Sequence, residues 1–459
     1  MLLSQTQSLC PVCLRLVDAS YIKDGDTVYL RKRCPEHGAF QVPAWKEEEG
    51  APEFLRWRQG SRIPAYPKSP ATPLLLGCPY DCGLCPDHAQ HTCTGLIEVT
   101  MRCSLGCPVC YARAGGGDGD PSLEHIQTQL DTLLRASGPC NVQLSGGEPT
   151  ERDDLPEIIR TAKARGFALV QVNTNGLRLG REKGYAAALR AAGLDSVYLQ
   201  FDGVDDTVFR TLRGRPCLEE KTAALEACRK AGLGVVLVCT LARGVNDHQA
   251  GELLRFALAQ GNHVRGLHFQ PVSSFGRFPW DMAEAPRITL PELMLALEKQ
   301  SGGLVRTSHF HAPSCEHPLC SFSAVYARAG DALEGPLGAA CCSGGTDLVR
   351  GSRVLDNAET SRVSRAFTAA HWSSPQEENT SLNDAFSRFL ASSGAERRFT
   401  LSAMAFQDAL SVDIERVRGC CIHVVSHDGR LIPFCLHNLT SLDNVPLYRG
   451  TDRNKSDPS

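Results

Sequence analysis

Three cysteines carry the first chemical signal. Cys103, Cys107 and Cys110 stand at C-x3-C-x2-C spacing in VTMRCSLGCPVCYARAGG, directly after the apolar run Leu96-Ile97-Glu98-Val99. Three thiolates are one short of a full tetrahedral set. They can hold three irons of a [4Fe–4S] cluster and leave one iron open to the amine and carboxylate of a ligand.

Further cysteine groups flank this loop. Cys10 and Cys13 form CPVC, and RKRCPEHG adds Cys34 and His37 after a hairpin signal around Asp24-Gly25-Asp26. Two knuckles flanking a hairpin read as a zinc-ribbon or rubredoxin-like module. Three thiolates plus one imidazole suit zinc best, with iron as the alternative. His37 is the less secure ligand, because water or a distant group can take its place. The module is expected to depend on its metal and to fold apart from the rest of the chain. Cys78, Cys82, Cys85 and Cys93 make C-x3-C-x2-C-x7-C, enough for a complete [4Fe–4S] cluster, with zinc as the competing reading. Cys140, Cys217, Cys228 and Cys239 stand alone and read as packing residues.

Composition narrows the class. The chain has 459 residues, 21 cysteines and a net charge of -3 from 48 basic and 51 acidic side chains. That balance gives no general electrostatic case for nucleic acid. The start, MLLSQTQSLCPVC, has no basic segment and no apolar h-region, so a cytoplasmic location is expected. With no export signal, clustered cysteines point to metal rather than disulfides. No apolar run reaches a membrane-spanning length.

A scaffold for these groups can be read along the chain. Residues 1–50 are the metal module. Residues 51–95 are a proline-rich connector and the first auxiliary cluster segment. From Leu96 the texture alternates strand and helix: LIEVTM (96–101), NVQLSG (141–146), ALVQVNT (168–174), SVYLQFD (196–202), GVVLVCT (234–240) and GLHFQPV (266–272), with helical stretches between. Six β/α units predict an α/β fold with a parallel sheet, an open partial (β/α)6 barrel over 96–290. Residues 291–445 lose the rhythm and carry Cys315, Cys320, Cys341, Cys342, Cys420, Cys421 and Cys435. The stretch 357–376 reads as a polar surface excursion and 446–459 as a disordered tail.

Motifs sit at the ends of the strands. LSGGEPT closes the second strand, NTNG ends the third and QFDG ends the fourth. Together with the cysteine loop, this order closely resembles the radical S-adenosylmethionine (SAM) superfamily. The resemblance implies that Cys103, Cys107 and Cys110 hold the SAM-binding cluster. Gly146, Gly147 and Glu148 would meet the methionine moiety of SAM, with the glycines letting the backbone approach and Glu148 meeting the ammonium. Thr174 and Gln200 fall in the ribose-contacting segments. Val109 takes a place that is often aromatic, and its backbone would meet the adenine. The aromatic itself comes one step late, at Tyr111.

A narrower resemblance spans residues 10 to about 440. The order ribbon, CPYDCGLCPDHAQHTC, cluster loop, late cysteines and GCCIHVVSHDGRLIPFCLHN is similar to the archaeal tetraether lipid synthase and pterin-type methylase family. It implies two auxiliary [4Fe–4S] clusters, the second held by Cys315, Cys320, Cys420 and Cys435, with Cys421 the alternative to its neighbour. It implies a radical SAM enzyme that cleaves SAM reductively, abstracts hydrogen from an unactivated C–H bond, and couples lipid tails or methylates a small molecule. A reductant protein such as flavodoxin or ferredoxin is the expected partner, and a lipid substrate would bring peripheral membrane contact. The alternatives are a radical SAM peptide-modifying enzyme and, from another class, a non-catalytic iron–sulfur or zinc nucleic-acid-binding protein. The N-terminal ribbon, in place of a peptide-clamping domain, disfavours the first. The charge balance and the GGEP segment disfavour the second.

Overall fold

The first four strands form an antiparallel sheet in simple order: β1 (Leu2–Leu9), β2 (Leu16–Asp24), β3 (Thr27–Cys34) and β4 (Gly38–Lys46). Gly25, at φ +62°, makes the turn between β2 and β3. Cys10 and Cys13 lie in the β1–β2 turn, and Cys34 with His37 at the β3–β4 turn. The computed structural model describes residues 1–59, 66–67, 70–116, 119–167, 169–313, 315–337, 372 and 398–450. Cys341, Cys342 and, apart from Trp372, the stretch 357–376 lie outside the described residues.

The expected separateness of this module is not what the structure shows. Leu9, Tyr21, Val28, Leu30 and Trp45 belong to the same continuous apolar core as the strands of the second sheet. The Tyr21 hydroxyl donates to Asp413 Oδ2 at 2.7 Å, and buried Lys32 donates to the Ala409 carbonyl at 2.7 Å. A four-stranded sheet this small has too little core of its own, so it shares one.

The second sheet begins with β5 (Thr94–Thr100), β6 (Asn141–Gly146), β7 (Leu169–Thr174), β8 (Ser196–Gln200), β9 (Gly234–Leu241) and β10 (Val264–Pro271). Each is parallel to the next and neighbours it in space, as the sequence pattern predicts. Helices Leu123–Ser137, Leu155–Ala164, Tyr185–Ala191, Leu218–Lys230 and Ala250–Ala259 make the crossovers. Local chemistry starts and stops them. The Ser122 side chain accepts from His125 N to cap the first helix, and Gly138 ends it at φ +67°.

The boundary expected at 290 does not divide the molecule. β11 (Ser321–Ala329), β12 (Ala332–Pro336) and β13 (Arg398–Met404) extend the sheet beyond β10. β14 (Ile422–Val425) and β15 (Leu431–Pro433) extend it beyond β5. β13 pairs parallel with β10 and β14 parallel with β5, giving an 11-stranded sheet edged by β12 and β15. The rhythm is lost after 290 because the added strands do not follow the parallel pattern: β11 pairs antiparallel with both β12 and β13, and β14 antiparallel with β15. Nor does a tail begin at 446. Leu447 and Tyr448 are buried, and Arg449 donates to Glu98 on β5 at 2.6 Å. Residues 451–459 lie outside the described set.

Candidate active site

Alternate residues along the parallel strands face one central cavity. They include Leu96, Gln143, Ser145, Asn173, Tyr198, Gln200, Val238, Thr240, His268 and Gln270. Side chains two apart share a strand face, so the period-2 pattern delivers one from each turn of the pleat. Met404 and Ile422 close the ring from the added strands. Cys103, Cys107 and Cys110 line the same cavity, in the loop after β5, at the C-terminal ends of the strands.

The cysteine loop is fixed by its backbone. Cys110 N donates to Arg277 O at 2.9 Å and Arg277 N returns to Cys110 O at 3.0 Å. The Arg277 guanidinium donates to Cys107 O at 2.7 Å. Burial pushes the Cys103 thiol up to about 11 and raises Cys107, with the Arg213 charge partly opposing the latter. Thiolates in such a place need a cation to offset the lost hydration. Three thiols lining one cavity, with a fourth position open, fit a [4Fe–4S] cluster with one open iron.

The GGE segment is built by close approach. A Cβ on Gly146 would lie 2.1 Å from Thr100 O, and one on Gly147 2.3 Å from Arg102 O. The glycines therefore admit the strand leading to Cys103, a demand of the fold in addition to the expected approach of a ligand. Gly147 N and Glu148 N donate to Thr100 O and Arg102 O at 2.7 and 2.8 Å. Glu148 is buried and already engaged. Its Oε1 accepts from Thr150 N, Thr150 Oγ1 and Thr174 Oγ1, and its Oε2 accepts from Asn175 N. It ties the GGEP and NTNG segments together, which leaves Oε2 the better-placed oxygen for an ammonium.

Thr174 and Gln200 both line the cavity, and each is held from behind. Thr174 Oγ1 also accepts from Gly176 N at 3.0 Å. Gln200 Nε2 donates to Asp202, while its Oε1 accepts from Lys221 Nζ at 2.7 Å. Three supporting residues escaped the sequence reading: Lys221, Arg213 and Asn246. Lys221 is fully buried and also donates to the carbonyls of Asn175 and Gln200. Burial brings its ammonium down to about 8. Arg213 forks onto Asp202 through two 2.7 Å bonds and reaches Val109 O at 3.0 Å. Asn246 donates to the carbonyls of Asp202 and Thr240, both at 2.8 Å. The available signal was position: Lys221 shares a helix face with Ala224, Leu225 and Cys228, where a charge is out of pattern. Val109 is buried against Val208, Leu212, Ala242 and Val272, an apolar slot in place of an aromatic ring. Tyr111, one step late in sequence, still lines the cavity and lies 2.7 Å from Ser145 Oγ.

The flanking cysteines group differently from their sequence order. Cys78, Cys82 and Cys85 line one small cavity with His88 and Arg418. Cys93 instead stands 3.7 Å from Cys315 and hydrogen-bonds with Cys421. The reason is register. β14 pairs with β5 at Thr94 and Ile422, and Cys93 N donates to Cys421 O at 2.8 Å, so Cys93 and Cys421 are strand neighbours. Cys420, one residue away, turns to the other side and feels the charges of Cys320 and Cys435. Cys315 thus stands beside Cys93 and Cys421, and Cys420 near Cys320 and Cys435. Cys140, Cys217, Cys228 and Cys239 are all buried in the apolar core.

At the ribbon, the ligand atoms of Cys10, Cys13, Cys34 and His37 all lie within 4.8 Å of one another. His37 Nδ1 is 3.4 Å from Cys34 Sγ and 3.7 Å from Cys10 Sγ. The His37 hydrogen bond brings the Cys34 thiol down to about 6. Three thiols and an imidazole at this spacing fit a closed tetrahedral zinc site.

Comparison with known proteins agrees with this geometry. Residues 97–257 match the radical SAM superfamily, and residues 2–46 match the HMPTM N-terminal zinc ribbon domain. The 7,8-dihydro-6-hydroxymethylpterin dimethyltransferase of Methanocaldococcus jannaschii is 33% identical over 475 residues, covering 95% of this chain and 93% of that protein. A probable GTP 3′,8-cyclase of Methanothermobacter thermautotrophicus is 31% identical over 177 residues, covering 38% of this chain and 56% of its own. The GTP 3′,8-cyclase of Paenarthrobacter nicotinovorans is 29% identical over 198 residues, covering 42% and 55%. These matches support the pterin-methylase side of the expected resemblance and not the tetraether lipid synthase side. The ordered cysteine loop, the strand-end motifs and the end-to-end match lead to one conclusion: the chain is a radical SAM enzyme with an N-terminal zinc ribbon, and it belongs to the family of the Methanocaldococcus jannaschii pterin dimethyltransferase.

Proposed function

We propose that the chain methylates a small, flat, hydrogen-bonding ring of the pterin class. The observation that carries this reading is the full-length match with a protein named as a pterin dimethyltransferase. The cavity is compatible with such a ring. Gln143, Asn173, Tyr198, His268 and Gln270 offer polar edges, while Phe275, Phe406 and Phe434 offer faces. Burial brings His268 down to about 4, so its imidazole is neutral in the cavity, with Nδ1 paired to Ser402 Oγ at 2.8 Å.

A reduced cluster on Cys103, Cys107 and Cys110 would supply the electron that cleaves SAM to methionine and a 5′-deoxyadenosyl radical, which takes hydrogen from an unactivated C–H bond. The chain's part is placement. Glu148, Thr174 and Gln200 orient SAM, and Arg213 and Lys221 hold the segments that carry them. The flanking thiols we assign to two auxiliary iron–sulfur clusters, the first on Cys78, Cys82 and Cys85. The second draws on the late cysteines together with Cys93. A flavodoxin or ferredoxin would supply electrons.

A second reading, carbon–carbon coupling of lipid tails, is favoured by the ring cluster at the cavity. Phe434 sits 4.6 Å from Phe406, 5.4 Å from Tyr111 and 6.3 Å from Phe275 by ring centroids. Anaerobic incubation with methyl-labelled SAM separates the two. The expected result is labelled methyl on 7,8-dihydro-6-hydroxymethylpterin, given by a second SAM that leaves as S-adenosylhomocysteine, while the first SAM is cleaved to 5′-deoxyadenosine and labelled methionine, each SAM consuming one electron from the reductant. An untouched pterin and joined tails in a lipid extract would transfer the assignment to lipid coupling. Cys107→Ala should abolish 5′-deoxyadenosine release in either case.

A further inference from the structure

Cys110 and Arg113 are near neighbours in one loop, yet they border different spaces. Cys110 lines the central cavity, whereas Arg113 lines a separate open groove of about 600 Å³. The groove is walled by Phe40 of the ribbon and by Arg277, Phe278, Trp280 and Asp281 after β10. Its floor is the cysteine loop's own support. A Cβ on Gly276 would lie 2.5 Å from Tyr111 O and 2.6 Å from Cys110 O, and Arg277 is bridged to Cys110 through both backbone groups. A single layer of backbone therefore separates this groove from Cys110.

We propose that this groove is where an acidic one-electron carrier protein docks to reduce the cluster held by Cys103, Cys107 and Cys110. Three features argue for that occupant. Arg113 is exposed, and its side chain makes no ion pair or hydrogen bond among the described residues. The Arg277 guanidinium is spent on the carbonyls of Cys107 and Ala114, which leave its positive charge uncancelled. The one acid in the lining, Asp281, accepts from Ala283 N at 2.8 Å. A basic groove on a chain of net charge -3 is a local departure, and it complements an acidic partner. Beside the arginines, the half-buried rings of Phe278 and Trp280 stack at 5.9 Å and 24°, giving the apolar centre that an interface with a polar rim needs. The transfer is one electron: the carrier is oxidised by one, the cluster is reduced by one, and no bond forms or breaks in the groove.

The test compares two reductants on the full, cluster-loaded protein. Reduced flavodoxin must dock; dithionite need not. Arg113→Glu should raise the KM for flavodoxin about tenfold at low salt and weaken flavodoxin binding in calorimetry to match, since rim charges act on association. With dithionite, 5′-deoxyadenosine release should equal that of the unaltered protein. Arg113→Lys should restore the flavodoxin KM. Asp281→Asn, which keeps a capping side chain and removes the opposing charge, should lower it. The readout is SAM cleavage without a methyl acceptor, so it is independent of which substrate the cavity takes. An unchanged flavodoxin KM and affinity in Arg113→Glu would overturn the proposal. So would an equal loss with both reductants, which would make Arg113 structural, or a change in oligomeric state, which would make the groove a contact between copies of this chain.

Discussion

Arg213 and Asp202 form a buried fork: two 2.7 Å hydrogen bonds join the guanidinium to the carboxylate, and a third arm reaches the carbonyl of Val109. The pair thus links the end of β8 to the cysteine loop. Arg213→Lys keeps the charge but loses the fork. It should weaken SAM binding at least tenfold, read by equilibrium dialysis, with the ribbon metal retained. Asp202→Ala leaves the arginine buried and unpaired and should cost about 3–5 kcal/mol in unfolding free energy, read by urea titration.

The cysteine grouping predicts which pairs of mutations share an effect. Cys93→Ser and Cys315→Ser act on one centre, so the double variant should lose no more iron than either single variant. Cys93→Ser combined with Cys85→Ser acts on two centres, so the losses should add. Anaerobic iron and sulfide analysis reads both. Additive loss for Cys93 with Cys315 would return Cys93 to the Cys78–Cys85 group.

His268 sets a pH dependence. Burial lowers its folded value from 6.5 to about 4, so between those limits the unfolded chain binds more protons than the folded one. Its contribution to stability is complete above pH 6.5 and is lost as pH falls toward 4. The urea midpoint should drop over that window, and His268→Gln should flatten the drop. The check is a midpoint series from pH 7 to about 4.5 on both proteins.

For the ribbon, the shared core changes the expected outcome of metal loss. Cys13→Ser, or a chelator that strips the site, should lower the unfolding temperature of the whole described core along with that of residues 1–46. Tyr21 and Lys32 anchor the ribbon to residues 409–413, and its apolar face is continuous with the large sheet. Differential scanning calorimetry should show one transition moving downward. Two transitions, with only the first moving, would restore the independent module.

Local order was legible and long-range order was not. The six parallel strands were readable because each is an apolar run closed by a glycine or polar turn and succeeded by a helix. NVQLSG matches β6 residue for residue. The Cys10–His37 site was readable because both knuckles sit at adjoining turns of one small meander. The neighbours of Cys93 were not legible because Cys421 is brought to it by β14 register, a contact with no trace in local spacing. Arg449 read as part of a tail because Glu98, its partner, lies far back on β5. Glu148 was found as a motif residue, but its hold on Thr174 and Asn175 needed the strands side by side.

The placement of β13 beside β10 and of β14 beside β5 has a consequence for how the chain is made. During synthesis, residues 94–271 emerge with both outer strands, β5 and β10, lacking their neighbours. An unpaired strand edge is a template for wrong partners, and a nascent chain exposes it for as long as translation takes. The strands that cover these edges, and Arg449 that clamps β5, come from the last described stretch of the chain. Cys315 and Cys421 also arrive late, 222 and 328 residues after Cys93. Closure of the sheet therefore waits until residues 398–449 have left the ribosome. Until then the Cys93 thiol lacks the neighbours it has in the folded chain, Cys315 and Cys421.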